Sequence, residues 1–300
     1  MRPRLVGQLL TSLAAQTFPV AKFEVIVVDN DNSESAQATV QRAILAYPDL
    51  RIRYAVEVVR GISYARNKAV SLSTGELIAF IDDDESASSN WLNDLVAALR
   101  THDADAVLGP VIPKFPPGSR AWVLRTGFFE RPRFSTGTLV GSHQGRTGNA
   151  IVKASVAKSR APLTFDAKFA LSGGEDYEFF KWLEEKGGRV IWCDSAIVWE
   201  EVPLSRQTVR YMLLRSYRSS FLFWREEYAG QSKLSISKTA GAGFFGGIFL
   251  ILAGLLVLPL GFHRAVNTWR TGATALGRVA AIGKGGIAVG ADSILAHPTD

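Results

Sequence analysis

The stretch Leu77–Glu85, with the sequence LIAFIDDDE, decides the fold prediction, because five apolar residues lead directly into four adjacent carboxylates. A short apolar run of this kind is typical of a strand that helices cover on both faces. In α/β sheets, ligands bind at the carboxyl ends of the strands. Four neighbouring carboxylates repel one another unless a cation or hydrogen-bond donors balance them. The stretch therefore predicts a buried strand that ends in a charged site, although a solvated turn that caps the next helix has the same local pattern.

Strand-like and helix-like patterns alternate around this stretch over residues 1–112. We predict further strands at 23–28, 51–56 and 106–112, and helices at 5–16, 33–46, 62–73 and 89–100. This alternation indicates βαβ units, and so an α/β fold with a mostly parallel sheet and helices on both faces.

Glycine and proline interrupt the chain between Pro113 and Gly148, which predicts a loop-rich insert, and inserts of this length usually serve a site. Regular patterns return as a strand at 149–153, a helix at 175–186, a strand at 189–193 and a long basic helix from about residue 205.

Composition excludes several protein classes. The one cysteine, Cys193, cannot form an internal disulfide, and the four scattered histidines do not suggest a zinc cluster. We see no secretory signal after Met1. The folded part carries no basic stripe with interleaved aromatic residues, so we expect no nucleic-acid partner.

The positive charge of the chain is concentrated near its end. Residues 1–230 hold 28 Lys and Arg against 26 Asp and Glu, whereas residues 231–300 hold six against two. The segment 240–262 has no charged residue, and 23 residues of helix are long enough to cross a hydrocarbon core of about 30 Å. A buried core helix is the alternative interpretation. The basic run 206–238 before this segment predicts an inner (plasma) membrane anchor with the preceding residues in the cytoplasm. We expect an interfacial segment to follow and to continue to Gly290, and a re-entrant apolar segment that brings the tail back is the alternative.

Several polar residues follow predicted strands or begin predicted helices. Asp29 ends a strand, and Gly61 precedes the helix that carries Arg66 and Asn67. The carboxyl ends of the strands meet at one edge of the sheet, so these residues are expected near the acidic stretch. The motif 173–176, Gly-Gly-Glu-Asp, begins another helix, where the helix dipole alone would stabilise its carboxylates.

The ordered set of motifs FEVIVVDN (23–30), RGISYARN (60–67), FIDDDE (80–85) and GGED (173–176) resembles family 2 glycosyltransferases, membrane-associated and bacterial in type. The resemblance covers about residues 1–220. It implies a GT-A-like, Rossmann-type fold and a metal-dependent, inverting hexosyltransferase. The enzyme would use a nucleotide-diphosphate sugar, with a UDP-sugar favoured, and Mg²⁺ or Mn²⁺. The implied acceptor is a glycan or a polyprenyl-diphosphate-linked glycan, in polysaccharide or cell-envelope synthesis.

The resemblance also assigns roles to residues. It implies a metal site at Asp84 with Asp82 and a catalytic base at Asp176 beside Glu175. It also implies one set of residues that binds the sugar donor and another set that borders the acceptor. The donor set is Asp29, Gly61, Arg66, Asn67, Asp82 and Asp83, and the acceptor set is Thr147, Gly148 and Asn149.

Two other functions share these features. A metal-dependent phosphatase or phosphotransferase could use the acidic stretch as nucleophile and acid. A non-catalytic membrane scaffold could retain the fold, although Asp84 and Asp176 are both present.

The resemblance, together with the apolar segment 240–262, divides the chain into a catalytic domain over 1–230 and a membrane-anchoring tail over 231–300. Within the first, residues 1–112 would bind the nucleotide sugar and 113–230 the acceptor. In the resembled family a buried strand precedes the helix predicted here at 5–16. We expect such a strand upstream of Met1, and the alternative is that another segment takes its place. Without it, neighbouring strands would keep unpaired backbone groups, each costing about 1–3 kcal/mol when buried.

Overall fold

The computed structural model describes residues 2–160, 163–228 and 233–282. The helices are α1 Pro3–Ala14, α2 Gln37–Ala46, α3 Ile62–Leu72, α4 Trp91–Thr101, α5 Ala121–Arg125, α6 Ala154–Lys158, α7 Glu175–Glu185, α8 Val209–Glu227, α9 Lys233–Val257 and α10 Phe262–Ala280. The strands are β1 Glu24–Asp29, β2 Arg51–Val56, β3 Leu77–Ile81, β4 Glu85–Ala87, β5 Ala106–Leu108, β6 Val111–Lys114, β7 Asn149–Lys153, β8 Val190–Trp192 and β9 Val198–Glu201.

Contacts divide the chain into two compact units. The first unit contains the chain up to Lys114 together with Arg131–Glu201, and the second contains Phe115–Glu130 and the chain from Val202. The functional boundary expected near residue 230 stays a prediction. The part of the expected interfacial segment after residue 282 lies outside the described residues, as does Met1.

The first unit has the predicted α/β architecture, but the pairing of its strands is mixed. β1 and β2 are parallel, and a second sheet has the order β3-β7-β5-β8. β7 runs antiparallel to both of its neighbours, while β5 and β8 are parallel. A third sheet has the order β4-β9-β6, with β4 antiparallel and β6 parallel to β9. The expectation of a mostly parallel sheet was therefore too simple, because the chain returns from the insert in the opposite direction.

Helices cover both faces of the four-stranded sheet. On one face, Trp91 and Leu95 of α4 pack in a cluster with Ile151 of β7. On the other face, Phe179 and Phe180 of α7 pack in a cluster with the alternate β7 residues. Successive side chains of a strand point to opposite faces, so both sets of side chains of such a strand pack against helices. This arrangement explains the continuous apolar runs in the sequence.

Several predicted elements have different bounds in the structure, and two of them show a physical reason. The strand expected at 106–112 is divided at Gly109-Pro110 into β5 and β6, which belong to different sheets. A Cβ on Gly109 would lie 2.6 Å from the Ala196 carbonyl oxygen, so the chain turns here in very close contact. The basic helix expected from 205 begins at Val209, where the Thr208 hydroxyl accepts the Tyr211 amide and caps it.

Among the described residues, β1 pairs only with β2, and β3 pairs only with β7. The additional strand that the resemblance implies is therefore not among these residues, and its presence upstream stays a prediction.

The described chain contains one helical stretch, Gly243–Leu260, that is long and apolar enough to cross a membrane. It lies largely within α9, inside the segment 240–262 that the sequence marked as an anchor. The predicted span across a bilayer stays a prediction.

A buried amide connects three segments of the first unit. The Trp91 indole donates to Asn149 Oδ1 over 2.8 Å, and Asn149 Nδ2 donates to the carbonyl oxygens of Pro110 and Ala196 over 2.9 and 2.7 Å. Asn149 is 1% exposed, so water cannot replace these partners. Its side chain therefore fixes the start of β7, whatever part it has in binding an acceptor.

We predict that Asn149→Ala lowers the free energy of unfolding by at least about 2 kcal/mol, since each buried polar group left without a partner costs about 1–3 kcal/mol. Urea denaturation followed by circular dichroism measures the loss. Asn93→Ala removes only an exposed hydrogen bond to Thr17 and should change stability by less than about 0.5 kcal/mol. Equal effects of the two substitutions would contradict the role given to Asn149.

Candidate active site

The acidic stretch predicted from the sequence forms a turn between β3 and β4. The antiparallel register of β3 and β7 pairs Ile81 with Asn149, which brings Gly148 beside the turn. A Cβ on Gly148 would lie 2.7 Å from Glu85 Oε1 and 3.3 Å from Asp82 Oδ2. A side chain at position 148 would displace the Glu85 carboxylate, so strand pairing places the predicted acceptor residues against the acidic turn.

Arg66 of α3 connects the acidic turn to the start of α7. Its Nη2 donates to Asp82 Oδ1 over 3.1 Å, and its Nη1 donates to Glu175 Oε1. The side chain is 12% exposed, and the guanidinium lies 5.8 Å from the centre of the Phe165 ring. Burial alone would lower the pKa of this guanidinium, but the neighbouring carboxylates, Asp82 first, raise it above its ordinary value. Arg66 is therefore a fixed positive charge in the centre of the site.

Glu175 and Asp176 begin α7 after two glycines in the left-handed region, with φ of +78° at Gly173 and +99° at Gly174. Glu175 is buried, and burial raises its pKa although Arg66 opposes the shift. Asp176 is half-buried, and its Oδ1 accepts the Tyr177 amide over 2.8 Å. The two carboxylates thus differ: Glu175 is ion-paired inside the protein, and Asp176 lies beside it with more contact to solvent.

Arg2 supplies a second cation at the turn. Its guanidinium donates to Asp83 Oδ1 over 3.1 Å and to Asp84 Oδ2 over 2.5 Å. Burial raises the pKa of Asp83, and the charge of Arg2 partly offsets this. No local pattern indicates this role, because 81 residues separate Arg2 from Asp83 in the chain.

Glu85 is the least exposed carboxyl group of the turn. It is 4% exposed, and its Oε2 accepts the backbone amide of Asp82 over 2.9 Å. Burial, followed by the charge of Asp82, raises the pKa of Glu85 well above its ordinary value. The side chain holds the turn closed, a role that its place in the acidic run did not distinguish from those of its neighbours.

Asp29, predicted to contact the donor, is buried and uses both oxygens within the protein. Oδ2 accepts the Ala36 amide over 2.9 Å and the Tyr54 hydroxyl over 3.0 Å, and Oδ1 accepts the Asp31 amide over 3.1 Å. Burial, and then the hydrogen bond to Asp29, raise the pKa of Tyr54. These bonds fix the turn after β1, and a direct contact with a donor stays a prediction.

Gly61 and Asn67 hold the segment that leads to α7. Asn67 donates to the Phe165 carbonyl over 2.8 Å and accepts the Phe165 amide over 2.9 Å. Gly61 has a φ of +140°, and a Cβ there would lie 2.5 Å from the Ala170 Cβ. Both residues therefore position the chain before Gly173, and their predicted part in donor binding is untested.

The carboxylate oxygens of the acidic turn fit a divalent cation only in part. Across residues 2–160, 163–228 and 233–282, no three His, Cys, Asp or Glu side chains form a group that could hold a metal ion by themselves. Mg²⁺ is commonly bound by one or two carboxylates plus substrate phosphates, which Asp82 and Asp84 could provide together with a diphosphate. Glu175 Oε2 and Thr147 Oγ1 are two of six buried side-chain atoms that have no hydrogen-bond partner among the described residues. Both belong to residues that the resemblance assigns to the site, where a ligand could supply the missing partner.

Comparison with known proteins gives a consistent result. Residues 2–153 match the family profile described as Glycosyl transferase family 2. The succinoglycan biosynthesis protein ExoM of Rhizobium meliloti (strain 1021) is 37% identical over 221 residues, which cover 73% of this chain and 69% of that protein. The glucosyl-dolichyl phosphate glucuronosyltransferase of Haloferax volcanii is 36% identical over 108 residues, which cover 36% of this chain and 33% of that protein.

A solved structure shows the same fold. The mannosyltransferase PcManGT from Pyrobaculum calidifontis, in complex with GDP-Man and Mn²⁺, superimposes with a TM-score of 0.62 at 18% identity. The superposition covers 92% of this chain and 82% of that chain.

The ion pair between Arg66 and Glu175 can be tested without any ligand. We predict that Arg66→Met lowers the free energy of unfolding by about 3–5 kcal/mol, because it leaves the buried Glu175 charge without its partner. Adding Glu175→Gln should restore part of the loss, with a coupling energy of about 1–3 kcal/mol in a double-mutant cycle. Denaturant unfolding of the four proteins measures this coupling.

Glu178 provides the control, since it lies on the same helix and pairs with Arg160 instead. Arg66→Met and Glu178→Gln should be additive within about 0.5 kcal/mol. Additive effects of Arg66→Met and Glu175→Gln would show that the pair does not organise the site.

Proposed function

Because the chain belongs to glycosyl transferase family 2 and has its α/β, GT-A-like fold, we propose that it is an inverting enzyme that transfers a sugar from a nucleoside-diphosphate sugar. The receiving group is a hydroxyl of a glycan or a lipid-linked glycan in cell-envelope polysaccharide synthesis. The relatives named for succinoglycan biosynthesis and for glucosyl-dolichyl phosphate support this acceptor class. A UDP-sugar is the donor we favour, and a GDP-sugar is the alternative suggested by PcManGT.

The proposal depends on one observation: a guanidinium joins the acidic turn to the first residue of α7. Arg66 contacts both Asp82 and Glu175, which are 93 residues apart in the chain. A donor diphosphate and an acceptor hydroxyl must meet at one place, and this contact brings the proposed donor and base regions together.

We assign donor binding to the acidic turn. Asp82 and Asp84 would hold Mg²⁺ or Mn²⁺, and this cation, when bound, would supply positive charge to the departing diphosphate. Arg66 keeps Asp82 oriented and reduces the repulsion among the carboxylates. Glu85 holds the backbone of the turn through the Asp82 amide, so the turn is preorganised for the donor.

We assign the role of general base to Asp176. It would take the proton of the acceptor hydroxyl while that oxygen forms a bond to the anomeric carbon and the bond to the diphosphate breaks. Attack from the face opposite the leaving group inverts the configuration, and no covalent enzyme intermediate is required. Asp176 suits this role better than Glu175, because Glu175 is buried and occupied by Arg66. Thr147 and Gly148 would border the acceptor, since Gly148 contacts the acidic turn.

We further propose that the enzyme associates with the plasma membrane from its cytoplasmic side. The apolar stretch in α9 supports this association, and a lipid-linked acceptor would require it.

We predict that Asp84→Ala lowers sugar transfer by more than about tenfold, which corresponds to about 1.4 kcal/mol in the barrier. It should also remove most Mn²⁺-dependent binding of the donor, because opposed negative charges would remain at the turn. Isothermal titration with UDP- and GDP-sugars, with and without Mn²⁺, measures the second effect. Retention of both properties would overturn the metal assignment, and release of inorganic phosphate without sugar transfer would favour a phosphatase.

We predict a different result for Asp176→Asn. Donor affinity should remain near that of the unchanged protein, while turnover falls by about 10²-fold or more, as is typical when a general base is lost. The amide keeps the size of the side chain but cannot accept the acceptor proton. Loss of donor binding in this variant would place Asp176 in the donor site instead.

A further inference from the structure

The apolar helix α9 exposes one continuous face. Phe245, Phe249, Leu252 and Leu256 recur at spacings of three and four residues, and they are 74, 68, 59 and 82% exposed. Residues at these spacings lie on one side of a helix. A patch of this kind is uncommon on a soluble protein and usually marks a contact with a partner or a membrane.

The other face of α9 packs along α10, and the two helices are antiparallel. Near one end, a Cβ on Gly243 would lie 2.9 Å from Val279. Near the middle, the Trp269 indole donates to the Ile251 carbonyl oxygen over 3.0 Å. Positions 243–260 of α9 and 262–279 of α10 therefore lie side by side.

Helix α8 packs along the other side of α10, in the same direction as α10. Met212 lies in one cluster with Val266, and the Ser220 hydroxyl donates to the Thr274 carbonyl oxygen over 2.7 Å. Farther along, the Arg278 guanidinium lies 3.8 Å from the centre of the Trp224 ring. The three helices thus share one axial direction, and any orientation of α9 in a membrane applies to all three.

This packing opposes a membrane-spanning orientation of α9. If Gly243–Leu260 crossed the bilayer, Arg270 would lie near its centre, because Trp269 is level with Ile251. Arg215 and Arg218 of α8 would lie at a similar depth. They lie between Met212 and Ser220, which pack beside Val266 and Thr274 of α10. The two helices α8 and α10 contain seven arginines. Charged side chains at the centre of a bilayer are costly.

We propose that α9 lies in the plane of an anionic lipid surface, with its exposed face in the outer part of the acyl region, and does not span the membrane. The inference rests on the membrane association in the proposed function and specifies its geometry. It places the arginines of α8 and α10 at or above the headgroups, where they attract anionic lipids. Under this proposal, the segment predicted as a transmembrane anchor attaches the protein to one leaflet of the membrane only.

Depth measurements can distinguish the two orientations in the full chain. Single cysteines replace Phe245, Phe249 or Leu256 in a Cys193→Ala background and carry a fluorophore. Quenching is measured in vesicles of phosphatidylcholine and phosphatidylglycerol that contain nitroxides at shallow or deep acyl positions. If the helix lies in the plane, the three labelled positions have depths within about 3 Å of one another. These depths are about 5–10 Å into the boundary between headgroups and acyl chains, as expected for interfacial helices. A spanning helix separates positions 245 and 256 by about 16 Å.

A matched pair of variants tests whether the exposed face makes the contact. Phe249→Ser with Leu256→Ser should lower vesicle binding at least tenfold. Leu45→Ser with Leu171→Ser removes two equally exposed leucines from the first unit and should leave binding unchanged.

The outcomes separate this inference from the proposed function. A depth difference above about 10 Å between positions 245 and 256 would overturn the in-plane orientation but leave membrane association in place. Absence of vesicle binding would overturn both. Failure of sugar transfer would affect only the proposed reaction, because depth and binding are measured without a sugar.

Discussion

The balance of charge at the end of β3 is the constraint on which the site depends. Asp82, Asp83 and Asp84 lie within one turn, and Arg66 connects this turn to Glu175 at the start of α7. Two arginines from distant segments, Arg66 and Arg2, offset part of this charge. The carboxylates still outnumber the cations, so the site retains a net attraction for an additional cation.

The rest of the first unit holds these groups in register. Pairing of β3 with β7 sets Gly148 against the turn, and the buried Asn149 amide secures the start of β7. The reciprocal bonds between Asn67 and Phe165 fix the segment that leads to α7. Several motif residues therefore hold the backbone of the site in place. Fewer side chains remain to bind a substrate than the motifs alone suggest.

The second unit combines two features that are usually separate. Its helix α9 has the length and apolar composition of a membrane span, but it packs along a helix that carries Arg264, Arg270 and Arg278. Glycine allows this close packing, since a Cβ on Gly247 would lie 3.2 Å from the Gly272 carbonyl oxygen. An enzyme attached in this way could reach a lipid-linked acceptor without a bilayer-spanning segment.

The sequence by itself determined the type and order of most strands and helices of the first unit, and it carried the motifs. Strands 51–56 and 77–81 have the predicted bounds, because apolar periodicity and flanking turns are local properties of the chain. The family was also predictable from the sequence, because four motifs in a fixed order are more specific than any one of them.

Tertiary structure alone decided the mixed pairing of β7, the ion pair of Arg2 with Asp84, the burial of Glu85 and the alignment of Arg270 with the middle of α9. Each of these joins or depends on segments that are distant in sequence, or on packing between whole elements. Their free energies arise from contacts that no local pattern encodes, so spacing in the chain could indicate the site but not its internal partners.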